Sequence, residues 1–144
     1  MDATLAPRET PAPPQPAPSL DSAPYWESLK QGVLAMQRCA QCRHWQFPPA
    51  EICRKCAGTV ALEPISGRGT IYTYIIEHRG GAPGFEALLP YPIALVTPEE
   101  APHIRIPARI VDARPDELAI GHAVTAQIIP LPGGDFSIPV FRLA

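Results

Sequence analysis

Two Cys-x2-Cys pairs constrain this chain more than any other feature of it. Cys39 and Cys42 form one pair, Cys53 and Cys56 the other, and ten residues lie between them. Each such turn aims both of its sulfurs at one centre, so two turns supply the four ligands of a tetrahedral metal site. The ten-residue connection is long enough to bring the turns together as a ribbon. Two disulfides would need an oxidising compartment, to which nothing in the sequence directs the chain. A redox Cys-x2-Cys has no use for a duplicate. An iron centre of the rubredoxin type takes the same four ligands, and zinc is the expectation. A site closed by four protein ligands has no open coordination position, so its predicted role is structural. Arg38, Arg43, Arg54 and Lys55 stand beside the cysteines and are expected to offset the charge of the four thiolates.

The chain has 144 residues, of which 46% are apolar and 18% charged. That balance belongs to one modest globular domain with its own core, not to a disordered chain. No apolar run approaches the ~20 residues that span a bilayer, and the N-terminus lacks the apolar core of a signal peptide. The expected location is therefore the cytoplasm. Net charge is -2, and twelve basic residues are scattered among fourteen acidic ones. A nucleic-acid binder usually shows a basic excess or stripe.

Proline marks the organisation. Residues 1–23 hold six of the 20 prolines and no apolar periodicity. They read as a disordered or polyproline-like tail. Residues 24–37 read as a short helix and a lead-in strand. Pro24 is tolerated in a first helical turn, Ser22 can cap it, and Gly32 can end it. Its apolar edge of Tyr25, Trp26 and Leu29 is too short to be stable alone. It is expected to lie on this protein's own ribbon or barrel. Val33 to Gln37 reads as the strand, and residues 38–64 as the ribbon. From residue 65 onward the chain is β-rich. Strands are expected at Gly69–His78, Tyr91–Thr97, His103–Val111, His122–Ile129 and Phe136–Leu143. Pro107 and Pro139 point to edges or bulges. Asp112 to Leu118 has room for one helical turn. Five short strands without a long helix suggest a mainly β chain ending in a five-stranded OB-fold barrel.

Several sequence features together resemble a known family. They are Tyr25-Trp26-Glu27, Gln37-Arg38-Cys39-x2-Cys42, Phe47-Pro48-Pro49 and Cys53-x2-Cys56. Ser66-Gly67-x-Gly69-Thr70, Pro90-Tyr91-Pro92, Ile120-Gly121-His122-Ala123-Val124 and Pro139-Val140-Phe141 complete the set. The family joins a rubredoxin-like zinc ribbon to an OB-fold and was long filed as a domain of unknown function. The resemblance covers residues 24–144. It implies an accessory subunit of acyl-CoA enzymes, paired with thiolases, acyltransferases or thiolase-like aldolases, and in some members with MaoC-type hydratases. It further implies catabolism of lipid, aromatic or steroid compounds, a heterotetramer of two small and two large subunits, and contact with the CoA thioester on the partner. Family members often carry glycine after the first Cys-x2-Cys, where this chain has Arg43; a left-handed backbone there would carry a small cost.

The residues give the chain no catalytic centre of its own. All four cysteines are taken by the metal, so none is left as a nucleophile. No Gly-x-Ser-x-Gly, Gly-x-Gly-x-x-Gly or Walker loop occurs. His44, His78, His103 and His122 match no metal pattern and read as surface or strand histidines. His44, in the ribbon loop, could stand in for a cysteine ligand, but the set is complete. Glu77 and His78 read as exposed polar residues, and Gly80 to Phe85 as a simple connection. Arg79, Arg105 and Arg109 read as scattered surface charges, with a grip on CoA phosphates as the sharper alternative. The competing class is a nucleic-acid-binding module, in which Tyr72 and Tyr74 would stack bases from one strand face.

A closed four-cysteine site contributes about 10 kcal/mol or more of folding free energy in small modules. A strong chelator is therefore expected to unfold residues 33–57. Full near-UV circular dichroism after verified metal removal would contradict this.

Overall fold

Pro24 lies in the first turn of the only α-helix among the described residues, and Gly32 closes it. The computed structural model describes residues 11–144. Helix α1 spans Ala23–Lys30, with proline in its first turn where an N–H would go unpaired anyway. Gly32 takes φ 78°. Its N–H donates to the Leu29 carbonyl at 3.0 Å, and the Val33 N–H to the Ser28 carbonyl at 2.9 Å. This crossed pair is the Schellman closure. Ser22 does stand at the N-cap, but it makes no side-chain cap bond. Its hydroxyl instead accepts from the Ser19 N–H at 2.9 Å. Tyr25 and Leu29 are buried. Tyr25 meets Phe47 edge-on at 5.6 Å, and Trp26 meets Phe136 at 5.7 Å. The helix thus lies on the chain's own ribbon and barrel, as expected, and bridges the two.

The ribbon is a three-stranded antiparallel sheet of β1 (Ala35–Cys39), β2 (Trp45–Gln46) and β3 (Val60–Pro64), in the order β2-β1-β3. The lead-in strand lies two residues later than expected and carries Cys39 at its end. Strands β2 and β3 had no sequence signal, being too short or too mixed to show a period of two.

The second sheet holds β4 (Arg68–Glu77), β5 (Tyr91–Pro98), β6 (Ile106–Arg109), β7 (Ala123–Pro130) and β8 (Ser137–Leu143). Its order is β6-β5-β4-β7-β8, with every neighbour antiparallel. A parallel bridge between Ile110 and Phe141 brings the two edges together. This is the connectivity of an OB-fold barrel. Four strands fall within one residue of their expected limits. The third is shorter than His103–Val111 because residues 98–104 form turns, with Ala101 and Ile104 N–H groups bonded three residues back. The connection after β6 holds one short 3-10 turn, Pro115–Glu117. One core joins Leu29 of the helix and Met36 and Trp45 of the ribbon to Ile71, Val96, Ile106 and Phe141 of the barrel.

A bulge in β4 overturns one sequence expectation. Ile71 pairs with Val96 but Thr73 pairs with Leu95, so Tyr72 is the extra residue. Ile71 is buried, Tyr72 is 51% exposed, and Tyr74 packs against the core. The Tyr74 hydroxyl donates to the Leu118 carbonyl at 3.1 Å. The two tyrosines do not share a face, and Arg105 covers the Tyr72 ring at 3.8 Å.

Two prolines interrupt the row of donors along the barrel's seam. The Ile110 N–H donates to Pro92 of β5, and the Val111 N–H donates across the seam to Phe141 at 2.8 Å. Backbone polar groups alternate sides along a strand. Pro107, four residues before Val111, and Pro139, two before Phe141, therefore turn their donorless nitrogens toward the seam. A regular ladder therefore cannot continue across the seam there.

The tail expected at 1–23 falls partly outside the described residues. Residues 11–22 form no helix or strand, and residues 11–15 lie against the barrel's loops. Pro13 is buried, and the Gln15 amide donates to the Pro132 carbonyl at 2.9 Å. A Cβ at Gly84 would lie 2.5 Å from the Pro13 nitrogen, and one at Gly133 2.6 Å from Ala12. The prolines are stiff, so seating this segment forfeits little conformational entropy.

Leu29 is 0% exposed in the shared core. Leu29→Ala is expected to cost about 2–5 kcal/mol of stability in urea titrations. A loss under ~1 kcal/mol would show that the helix is only loosely docked.

Candidate metal centre

Cys39 ends β1, Cys42 follows in the turn, and Cys53 and Cys56 occupy the next loop. The four sulfurs lie within 4.8 Å of one another. Cys39 Sγ is 3.5 Å from Cys56 Sγ, and Cys42 Sγ is 3.7 Å from Cys53 Sγ. Four sulfurs at about 2.3 Å from one tetrahedral ion sit about 3.8 Å apart. The cluster fits such an ion.

The two turns repeat one backbone pattern. The Cys39 N–H donates to the His44 carbonyl, and the Cys53 N–H to the Gly58 carbonyl, each at 2.9 Å. The Arg43 N–H returns to the Cys39 carbonyl at 3.1 Å, and the Ala57 N–H to the Cys53 carbonyl at 2.8 Å. Arg43 and Ala57 are left-handed, with φ 62° and 60°. Neither is glycine, so each carries about 1–2 kcal/mol of strain. Gly58 is required for a different reason. A Cβ there would stand 2.9 Å from Cys39 Sγ and 3.1 Å from Cys56 Sγ. Nothing in the sequence singled it out.

Backbone amides, not side-chain cations, approach the sulfurs. Gln41 and Cys42 N–H groups donate to Cys39 Sγ at 3.3 and 3.4 Å, and the Lys55 N–H donates to Cys53 Sγ at 3.4 Å. The Cys42 amide leads in pulling the Cys39 thiol down to about 6. The Gly58 amide pulls Cys56 the same way, but the neighbouring Cys39, Cys42 and Cys53 outweigh it and push that thiol up to about 12. Four thiols this close cannot all ionise unless a cation joins them.

The basic residues do less here than expected. Arg38 and Arg43 both pair with Glu63, at 3.4 and 3.2 Å. Arg38 also covers the Trp45 ring at 4.6 Å. They tie the first turn to β3. His44 stays clear of the ligand set and stacks on His103 at 4.7 Å. The His103 Nε2 lies 2.8 Å from the Trp45 carbonyl. These rings join ribbon to barrel, a role no spacing predicted.

The second turn hangs on two buried glutamines that sequence reading missed. Gln46 Nε2 donates to Gln37 Oε1 at 2.8 Å and to the Ile52 carbonyl at 3.1 Å. Gln46 Oε1 accepts the Arg54 N–H at 2.9 Å. Gln37 Nε2 donates to the Ala50 carbonyl at 2.9 Å, and its Oε1 accepts the Ala50 N–H at 2.8 Å. Both amides are satisfied, and together they position residues 50–54 around Cys53. Only the burial of β1 and β2 reveals that these glutamines point inward.

Elsewhere, Glu77, Gly81, Ala82, Phe85 and Arg109 come together on a mainly apolar groove beside the barrel seam, of about 560 Å³. The other expected arginines do not join it: Arg105 lies over Tyr72.

A four-cysteine, rubredoxin-like ribbon followed by an OB-fold defines the class. The family described as "ChsH2, rubredoxin-like zinc ribbon domain" matches residues 26–63, and "ChsH2, C-terminal OB-fold domain" matches residues 62–128. The chain is 40% identical over 104 residues to a "DUF35 domain-containing scaffold protein" of Methanocaldococcus jannaschii, covering 70% of this chain and 72% of that one. It belongs to this DUF35 family of ribbon and OB-fold proteins. It is also 35% identical over 133 residues to a "Probable enoyl-CoA hydratase alpha subunit" of Thermomonospora curvata. That match covers 91% of this chain but only 40% of the relative's length. A solved chain of the "Ltp2-ChsH2(DUF35) aldolase" superposes with a TM-score of 0.81 at 33% identity, covering 90% of this chain and 98% of that one.

Gln46→Leu leaves Gln37, Ile52 and Arg54 each short of a partner. It is expected to cost about 1–3 kcal/mol per unsatisfied group. Metal ligation needs thiolates, so protons compete with the ion and acidification releases it. The variant should therefore lose metal at a higher pH than wild type in a dye-release titration. Coincident release curves would show that the clamp does not support the site.

Proposed function

We propose that this chain is a non-catalytic, zinc-stabilised scaffold subunit of an acyl-CoA-processing enzyme. The partner proposed is a large subunit of the thiolase superfamily: a thiolase, an acyltransferase or a thiolase-like aldolase. The observation that carries this reading is the near-complete coverage, 98%, of the matched chain in the solved aldolase. The site agrees with it. Cys39, Cys42, Cys53 and Cys56 would hold Zn2+, and the bound ion would supply a rigid cross-link rather than chemistry. With all four cysteines converging on one point, no thiol is left as a nucleophile. The proposed assembly is a heterotetramer of two small and two large subunits, with the OB-fold near the partner's CoA thioester, in the cytoplasm. Among the described residues no helix is long and apolar enough to cross a membrane.

A MaoC-type hydratase partner is the second reading, favoured by the similarity to the Thermomonospora curvata protein. Nucleic-acid binding loses its support, since Tyr72 and Tyr74 face opposite ways and the charge is -2.

Affinity purification from the native host, followed by mass spectrometry, tests the assignment. A stoichiometric thiolase-like partner is expected, with thioester turnover by the complex and none by the partner-free chain. A MaoC-like partner would select the second reading. A lone protein, bound nucleic acid, or turnover by the isolated chain would refute the proposal.

A further inference from the structure

The groove beside the seam is built unlike an ordinary barrel surface. Tyr25, Trp26 and Phe47 wall one side, Phe85 and Tyr91 line it as well, and Ile138 to Val140 of β8 contribute apolar surface. Its volume of about 560 Å³ lies within the ~300–1,000 Å³ usual for small-molecule sites. Because Pro107 and Pro139 keep β6 and β8 from zipping together there, the groove belongs to the fold rather than to a side-chain rotamer.

One cation serves this apolar space. Arg109 lines the groove, and its Nε is buried with no hydrogen-bond partner among the described residues. No carboxylate of the described residues stands within ion-pairing distance of it. The other charged residue lining the groove, Glu77, accepts the Arg79 N–H at 3.2 Å. Burial, partly opposed by Tyr91, lowers the Arg109 guanidinium from its ordinary value. A guanidinium does not give up its proton, so the buried Nε–H calls for an acceptor.

We infer that the seam groove binds a small amphipathic organic anion, with its apolar body against Trp26, Phe85 and Ile138 and its single carboxylate or sulfonate on Arg109. This goes beyond the scaffold assignment and does not need the partner subunit. The polar demand is for one anionic head, because Arg109 is the one cation in the groove's lining, and the aromatic walls favour a flat apolar body.

The metal-loaded full chain tests it with two fluorescent probes. One is 1-anilinonaphthalene-8-sulfonate; the other is its uncharged analogue N-phenyl-1-naphthylamine. The sulfonate is expected to bind saturably at one site per chain. Arg109→Met, which keeps the apolar stem, should weaken it by at least about tenfold, the scale of a lost charge-assisted hydrogen bond. Arg109→Lys should recover most of that loss, and the uncharged probe should bind all three proteins alike. Near-UV circular dichroism certifies the fold of each variant. Should Arg109→Met fail to fold, Ile138→Glu supplies the second variant, and it should repel the sulfonate while leaving the fold intact. Equal sulfonate affinity in wild type and a folded variant would overturn the proposal. So would unsaturable binding, or parallel losses for both probes.

Discussion

The convergence of four sulfurs on one point is the constraint on which the ribbon depends. The segment from Cys39 to Cys56 has two strand residues outside β1 and little core of its own. Its turns are held from two directions. Backbone amides repeat the same pattern around Cys39 and Cys53, while Gln37 and Gln46 hold the loop between the pairs. Left-handed Arg43 and Ala57 store strain, which the metal bond energy of such sites exceeds several-fold. A site arranged in this way is suited to rigidity. The Cys39 and Cys53 sulfurs receive N–H groups from their own loops.

The barrel gains from this rigidity through a shared core. Leu29, Leu34, Met36 and Trp45 pack in the same cluster as Ile71, Val96 and Phe141. The helix alone would not hold. Held between Phe47 of the ribbon and Phe136 of the last hairpin, it fastens the two modules and forms one wall of the seam groove. Stability and surface shape therefore have a common origin. The ordered ribbon fixes α1, and α1 fixes the aromatic side of the groove. In the scaffold role proposed above, such a fixed surface would be the useful product, since a partner would meet it already formed.

Much of this was legible in the chain. The cysteine spacing identified the ribbon and its four converging residues, because Cys-x2-Cys geometry is local. Gly32, Pro24 and the β-branched runs placed the helix and four strands to within a residue, again because propensity and turn chemistry act over a few neighbours. Local signals misled where a distant contact decided. Ser22 turned to Ser19 rather than capping α1, and Arg38 and Arg43 paired with Glu63 rather than serving the sulfurs. The alternation of Tyr72 and Tyr74 was real in sequence, but one inserted residue in β4 reversed it.

The sequence by itself determined the local chemistry: which cysteines can converge on one point, which prolines cannot donate, and which stretches are extended. Tertiary structure decided what those properties meant. Pro107 and Pro139 are ordinary strand interruptions until closure of the barrel sets their edges face to face, where two missing donors leave a groove. Gln37 and Gln46 are polar residues like any others until β1 and β2 pair and bury both amides. Arg109 is one arginine of several until the fold shuts its Nε away from water and offers no carboxylate in return. Each outcome depends on groups far apart in the chain, and no local pattern can encode the distance between them.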